Sequence, residues 1–125
     1  MPKLSSFILF LKTIYLSFLL STLAISTSHA EMSGIGDLAG GSYSSRAYGV
    51  SGDGLTVVGS GTSTTGTEAF KYVGSTMTGL GFLTGGTTSI AFGTDSDGSV
   101  IVGYGSSSTT QVEAFKYVGS TMTGL

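Results

Sequence analysis

Acidic side chains are the residues of this chain most able to do chemistry, and one group of them resembles a calcium loop. Asp95-Ser96-Asp97-Gly98 places two carboxylates before a glycine, as in part of an EF-hand. The later glutamate of an EF-hand is missing, because Tyr104 stands six residues after Gly98. The matching segment earlier in the chain has only Asp53. We therefore predict a hairpin turn here and no metal site.

The second pattern is a pair of glutamates, Glu68 and Glu113, each opening an identical copy of "EAFKYVGSTMTGL". Glycosidases use two carboxylates about 5–10 Å apart. Equivalent positions in neighbouring repeats could approach that closely, but nothing in the sequence indicates a raised pKa or a substrate cleft. We expect no enzyme and no catalytic residue.

The residue types missing after residue 30 exclude several further activities. That part of the chain has no His, Cys, Trp, Pro or Asn. It therefore cannot form a disulfide, a cysteine nucleophile or a Ser-His-Asp triad. A zinc site would need carboxylates alone, which is unusual. We expect no cofactor-binding residue and no cofactor.

Charged residues are sparse after residue 30. Three basic residues (Arg46, Lys71 and Lys116) face seven acidic ones, for a net charge of −4. A mildly acidic chain without basic clusters is not expected to bind nucleic acid or anionic membrane surfaces.

The first thirty residues have the pattern of a secretory signal peptide. Lys3 and Lys12 precede an apolar stretch, and Ser28 and Ala30 are small residues at the −3 and −1 positions of a cleavage site. An uncleaved anchor over Leu4–Ile25 would place Lys12 near its middle, at a cost of roughly 2.5–3.5 kcal/mol. We predict a signal helix, cleavage after Ala30, export, and no membrane span in the mature chain.

The remaining residues, 31–125, contain two tandem repeats, 36–80 and 81–125. Relative to the first copy, the second loses one residue before Ala91 and regains one before Glu113. Each unit reads as four short strands, with an Asp-Gly turn between the first and second. The predicted strands are Ser44–Val50, Leu55–Gly59, Glu68–Val73 and Thr76–Leu80, matched by Ser89–Thr94, Ser99–Gly103, Glu113–Val118 and Thr121–Leu125.

The side chains and loops of the repeats also carry predictions. We expect the third-strand aromatic residues to be core residues and the third-strand lysines to be exposed. The polar segments between the second and third strands are either contact surfaces or solvated connectors. The aromatic residues are Phe70, Tyr72, Phe115 and Tyr117. The lysines are Lys71 and Lys116, and the polar segments are Ser60–Thr67 and Tyr104–Val112.

The predicted fold class is all-β, with two four-stranded repeats resembling β-propeller blades. Propellers stack such sheets face to face, which explains apolar second strands without alternation. A β-sandwich, a β-solenoid and a poorly folded chain are the alternatives. Two blades are fewer than the four to eight that close a ring. We therefore expect apolar residues such as Val57, Val58, Val100, Ile101 and Val102 to be exposed on the outer faces, together with unpaired strand edges. We also expect self-association or packing against further repeats.

The repeats resemble the HAF family of extracellular repeats. The segments that carry the resemblance are "LAGGSYSSRAYGVSGDGLTVVG" and "LTGGTTSIAFGTDSDGSVIVG", each followed by "EAFKY". Glu68 and Glu113 replace the histidine that gives the family its name, and Tyr72 and Tyr117 replace its usual tryptophan. No function of that histidine or tryptophan can be carried over.

The resemblance implies an exported protein, often part of a long array or of an autotransporter passenger associated with the outer membrane. We accordingly expect a cell-surface or passenger fragment with a structural or adhesive role. A small secreted module that binds a surface glycan or a host protein is the alternative, and a non-functional truncated product is a third.

Overall fold

The computed structural model describes Ile8, Leu9, residues 30–109 and residues 111–125. The contacts divide the chain into two compact units, Met1–Ser33 and Gly34–Leu125. Most of the predicted signal helix and its cleavage segment lie outside the described residues. Among the residues that are described, no helix is long and apolar enough to cross a membrane.

The unit Gly34–Leu125 is all-β and contains two four-stranded antiparallel sheets, which confirms the predicted fold class. In each sheet every strand pairs with its neighbour in sequence, which is the topology of a propeller blade. Sheet 1 comprises β1 (Gly40–Val50), β2 (Thr56–Ser63), β3 (Thr67–Val73) and β4 (Thr76–Gly79). Sheet 2 comprises β5 (Ser89–Thr94), β6 (Val100–Gly105), β7 (Glu113–Val118) and β8 (Thr121–Gly124).

The first polar segment is mostly strand, so the loop predicted over Ser60–Thr67 is wrong. Pairing of β2 with β3 continues through Gly61 with Glu68 and Thr62 with Thr67. The Ser63 amide then donates to the Gly66 carbonyl at 2.8 Å and closes the turn. In the second repeat β6 ends at Gly105, so Tyr104 and Gly105 of the predicted loop belong to a strand, whereas residues 106–109, 111 and 112 do not.

The Asp-Gly turns occur where the sequence predicts them. Gly54 and Gly98 have φ of 75° and 78°, a backbone conformation that residues with a Cβ rarely adopt. A bulge interrupts the first hairpin of each sheet, between Ala47 and Gly49 and between Ala91 and Gly93. Each bulge leaves one extra aromatic residue on the first strand, either Tyr48 or Phe92.

The two sheets pack face to face, and the core lies between them. We call the face of each sheet that contacts the other its inner face, and the opposite face its outer face. The buried cluster is formed by Val58 and Ala69 of sheet 1, Leu80 and Leu83 of the connection, and Ala91, Ile101, Phe115 and Tyr117 of sheet 2. Phe70 is also fully buried. The burial of Phe70, Phe115 and Tyr117 confirms that these aromatic residues are core, while Tyr72 is half-buried.

The second strands of the two sheets differ in their burial. Val58 and Ile101 lie on the inner faces and are 0% and 1% exposed, so their predicted exposure is wrong. Val102 lies on the outer face of sheet 2 and is 44% exposed, as predicted, whereas Val57 and Val100 are half-buried. Stacked blades would bury the second strand on both faces, but β6 is buried on its inner face alone, since Val102 stays exposed on the outer face in the part of the chain that the structure describes.

Candidate functional site

The acidic turn of the second repeat uses its carboxylates to hold its own backbone. Asp95 accepts hydrogen bonds from the Val100 amide at 3.0 Å and from the Ser99 hydroxyl at 2.7 Å. Asp97 accepts one from the Ser99 amide at 3.0 Å. These bonds fix the hairpin between β5 and β6, in agreement with the predicted turn.

The acidic turn of the first repeat is built differently, because Ser51 occupies the position of Asp95. The Ser51 hydroxyl donates to Asp53 at 2.5 Å and accepts from the Thr56 amide at 2.9 Å. The Leu55 amide also donates to Asp53, at 2.9 Å. The two turns touch, since the Asp53 amide donates to the Ser96 carbonyl at 3.0 Å.

Hydrogen bonding lowers the pKa of two of these carboxyls. For Asp53 the largest cause is the Ser51 hydroxyl, and for Asp95 it is the Val100 amide. A carboxylate that accepts hydrogen bonds is stabilised in its ionised form. Among the described residues no group of three His, Cys, Asp or Glu side chains could hold a metal ion.

Glu68 and Glu113 lie in equivalent places and make local contacts. Glu68 accepts a hydrogen bond from the Gly81 amide at 2.9 Å, so it ties the third strand of the first repeat to the first residue of the second. Each glutamate also lies over a glycine of its fourth strand, Gly79 or Gly124, where a Cβ would collide with the carboxylate. Glu113 lines a surface groove, and Glu68 is not among the residues that line it.

That groove lies beside the loop of the second repeat and has a volume of about 430 Å³. Hydroxyl groups, the Glu113 carboxylate and the Met122 side chain form its walls. The residues are Leu83, Thr84, Ser107, Ser108, Thr109, Glu113, Met122, Thr123 and Gly124. The loop of the second repeat, for which the sequence leaves a contact surface and a solvated connector as alternatives, therefore borders a polar groove.

A row of three exposed aromatic rings crosses from sheet 1 to sheet 2, and we call it the aromatic ladder. The ring centroids of Tyr48 and Phe92 are 5.2 Å apart, and those of Phe92 and Tyr104 are 5.5 Å apart. The three side chains are 44%, 46% and 38% exposed. Our sequence reasoning missed this ladder. The available signal was the aromatic residue before glycine at the same place in both repeats.

The two third-strand lysines have different surroundings, although their sequence contexts are identical. Lys71 is half-buried on the inner face of sheet 1, with its Nζ 5.9 Å from the centroid of the Tyr117 ring. This geometry is that of a cation–π contact. Lys116 is exposed on the outer face of sheet 2. The prediction of exposure is therefore confirmed for Lys116 and wrong for Lys71, because sheet 2 covers the latter.

Ser89 joins the two repeats from a fully buried position. Its hydroxyl accepts a hydrogen bond from the Ala69 amide at 2.9 Å and donates one to the Gly81 carbonyl at 2.6 Å. Both partners are backbone groups at the junction of the repeats. Ser89 therefore satisfies polar groups that the packing of the sheets would otherwise bury without partners.

No family model, curated protein or solved structure matches this chain.

Proposed function

We propose that the chain is an exported, non-enzymatic β-repeat protein with a structural or adhesive role, on the cell surface or in an autotransporter passenger. The observation that carries this proposal is the stacking of two equivalent sheets. Sheet 1 and sheet 2 share one core and are tied together by Ser89 and Glu68. Such stacking is how repeat arrays build extended surfaces.

The use of the acidic side chains supports a non-enzymatic role. Asp53, Asp95 and Asp97 hold turns, and Glu68 holds the repeat junction. With no histidine or cysteine after residue 30, the chain has few other groups for acid–base or nucleophilic chemistry.

Cell fractionation followed by N-terminal sequencing tests the proposal of export. We expect the protein outside the inner membrane, beginning at Glu31, because Ser28 and Ala30 form the cleavage site. Intact Met1 in the inner membrane would favour the anchor instead, and protein confined to the cytoplasm would refute export.

The aromatic ladder favours a second candidate function, the binding of a surface glycan. Exposed contiguous apolar patches mark interaction sites more often than scattered apolar residues do. Sugar rings present C–H groups that pack on aromatic faces, and three rings spaced about one sugar unit apart offer an extended contact.

Binding to a panel of immobilised polysaccharides tests this candidate. Phe92→Ala removes the central ring and should abolish the retention of any glycan that binds the ladder. Tyr43→Ala is the matched control, because Tyr43 is 99% exposed and has no ring partner in the ladder. Equal retention of both variants would contradict a ladder site, and no retention of the wild-type protein would leave the structural role alone.

A further inference from the structure

The inner interface provides a template for what the outer faces can bind. On the sheet 1 side it is formed by Val58, Ala69 and Lys71. On the sheet 2 side it is formed by Ala91, Ile101, Phe115 and Tyr117. The two sheets are repeats of one sequence, and each packs on the other with a different face. The outer face of each sheet is therefore built from the residues that match, by repeat position, the inner face of the other sheet.

The outer face of sheet 2 repeats the inner face of sheet 1 at the positions that matter for packing. Val102, Ala114 and Lys116 stand where sheet 1 has Val58, Ala69 and Lys71. Val58 and Ala69 are 0% exposed, whereas Val102 is 44% exposed and Ala114 is also exposed. Tyr104 is the main difference, since it replaces the buried Ser60, and its ring packs sideways against Phe92.

The outer face of sheet 1 in turn repeats the inner face of sheet 2. Ala47, Val57, Phe70 and Tyr72 stand where sheet 2 has Ala91, Ile101, Phe115 and Tyr117. Ala47 is exposed and Val57 and Tyr72 are half-buried, whereas their equivalents Ala91, Ile101 and Tyr117 are buried. Phe70, like Phe115, is already fully buried within one chain. The outer face of sheet 1 is therefore complementary to the outer face of sheet 2, and neither outer face is complementary to a second copy of itself.

A glycine on the outer face of sheet 2 is the most specific sign of this complementarity. In the inner interface, a Cβ on Gly49 would lie 2.7 Å from the Phe92 carbonyl oxygen, so the close approach of the sheets requires glycine there. Gly93 is the equivalent residue in sheet 2, and a Cβ on it would meet only the Val102 side chain, at an ordinary 3.7 Å. Among the described residues no contact requires glycine at position 93, whereas a second sheet docked there would require it.

We propose that a second copy of this chain docks head to tail, with the outer face of its sheet 1 on the outer face of sheet 2 of the first copy. Lys116 then lies over Tyr72 of the second copy, as Lys71 lies over Tyr117 within one chain. Such a contact uses two different surfaces, so it propagates until a ring closes or a filament forms. Two to four copies supply the four to eight blades of a closed propeller. This assembly does not depend on export, so a monomeric exported protein would refute it and leave the proposed function intact.

Sedimentation velocity over a range of concentrations, on the protein produced from the full-length gene, tests the proposal. We expect association in the wild type and about ten- to a hundredfold weaker association in Gly93→Ala, since an inserted methyl group overpacks the interface. Val102→Glu should weaken it further. Leu55→Ser is the control, because Leu55 is an exposed turn residue for which the second repeat has Ser99. Its association should equal that of the wild type.

Mixing two variants distinguishes head-to-tail docking from other contacts. Ala47→Glu blocks the outer face of sheet 1, and Val102→Glu blocks the outer face of sheet 2. Each variant alone should be monomeric, and an equimolar mixture should form a dimer and nothing larger, through the one intact face of each. A mixture that stays monomeric overturns the proposal. A monomeric wild-type protein also overturns it. Association that both Gly93→Ala and Val102→Glu leave unchanged overturns it as well, because the contact would then lie elsewhere in the chain.

Discussion

Replacing Ser89 with alanine should destabilise the fold strongly, although it removes a single oxygen atom. The hydroxyl is fully buried and serves the Ala69 amide and the Gly81 carbonyl at once. Ser89→Ala leaves the buried Ala69 amide and the partly buried Gly81 carbonyl without this partner. Each such group costs about 1–3 kcal/mol, and the small cavity admits no obvious replacement. We expect a loss of roughly 2–4 kcal/mol in the free energy of unfolding.

Urea denaturation followed by circular dichroism measures this loss. A small domain has an m-value of about 1 kcal/mol per molar urea, so the midpoint should fall by roughly 2–4 M with little change in slope. If the wild-type stability is near the low end for ordinary domains, about 5 kcal/mol, the variant keeps about 1–3 kcal/mol of it.

Ser45→Ala is the matched control, because Ser45 is the equivalent residue in the first repeat. It pairs with Gly61 as Ser89 pairs with Gly105, and its hydroxyl donates to the Gly36 carbonyl in an exposed hydrogen bond. Its loss should stay within about 0.5 kcal/mol, as for most surface substitutions. Equal effects of the two substitutions would refute the reasoning, because they would show that burial at the junction does not decide the cost. A change below 0.5 kcal/mol for Ser89→Ala would do the same.

Two further predictions concern the acidic turns. The lowered pKa of Asp53 and Asp95 means that their ionised forms stabilise the fold above the ordinary aspartate pKa, and that this contribution is lost as pH falls through the lowered values. The urea midpoint of unfolding, measured at a series of acidic pH values, should therefore fall as pH falls, and it should fall less steeply in Asp95→Asn than in the wild type. Equal slopes in the two proteins would contradict a stabilising role for the ionised Asp95. Calcium at millimolar concentration should leave the melting temperature unchanged, because Asp95 and Asp97 already accept backbone and hydroxyl hydrogen bonds. A rise of several degrees that Asp97→Ala abolishes would reveal a metal site at this turn.

Local sequence signals located all eight strands and the turns within each hairpin, but not every strand boundary. Asp-Gly at the first turn and Gly-Ser at the third mark hairpins by their backbone freedom, whereas β1 begins at Gly40 instead of Ser44 and β2 ends at Ser63 instead of Gly59. The strand pairing between β2 and β3 extends further than expected, because Thr62 and Thr67 can form a strand pair as readily as they can form a loop.

The environment of each side chain could not be predicted from the same signals. The segment "EAFKYV" occurs twice, yet Ala69 is fully buried while Ala114 is exposed. Lys71 lies over an aromatic ring, whereas Lys116 faces solvent. Identical sequences differ here because only one copy has a sheet packed on that face. The aromatic ladder was missed for a related reason, since it joins residues from different repeats.

The pairing of every strand with its neighbour in sequence has a consequence for how the chain reaches its fold. Each hairpin closes over a short stretch of chain, and contacts of low sequence separation form fast, in about 1–10 μs for a single hairpin. Sheet 1 is complete at Gly79, before any residue of sheet 2 is needed. A chain that emerges from its N-terminus can therefore assemble one sheet while the next is still unfolded, with the Ser89 bonds forming last. We expect folding to proceed in the direction in which the chain is delivered, with each finished sheet serving as the template for its successor.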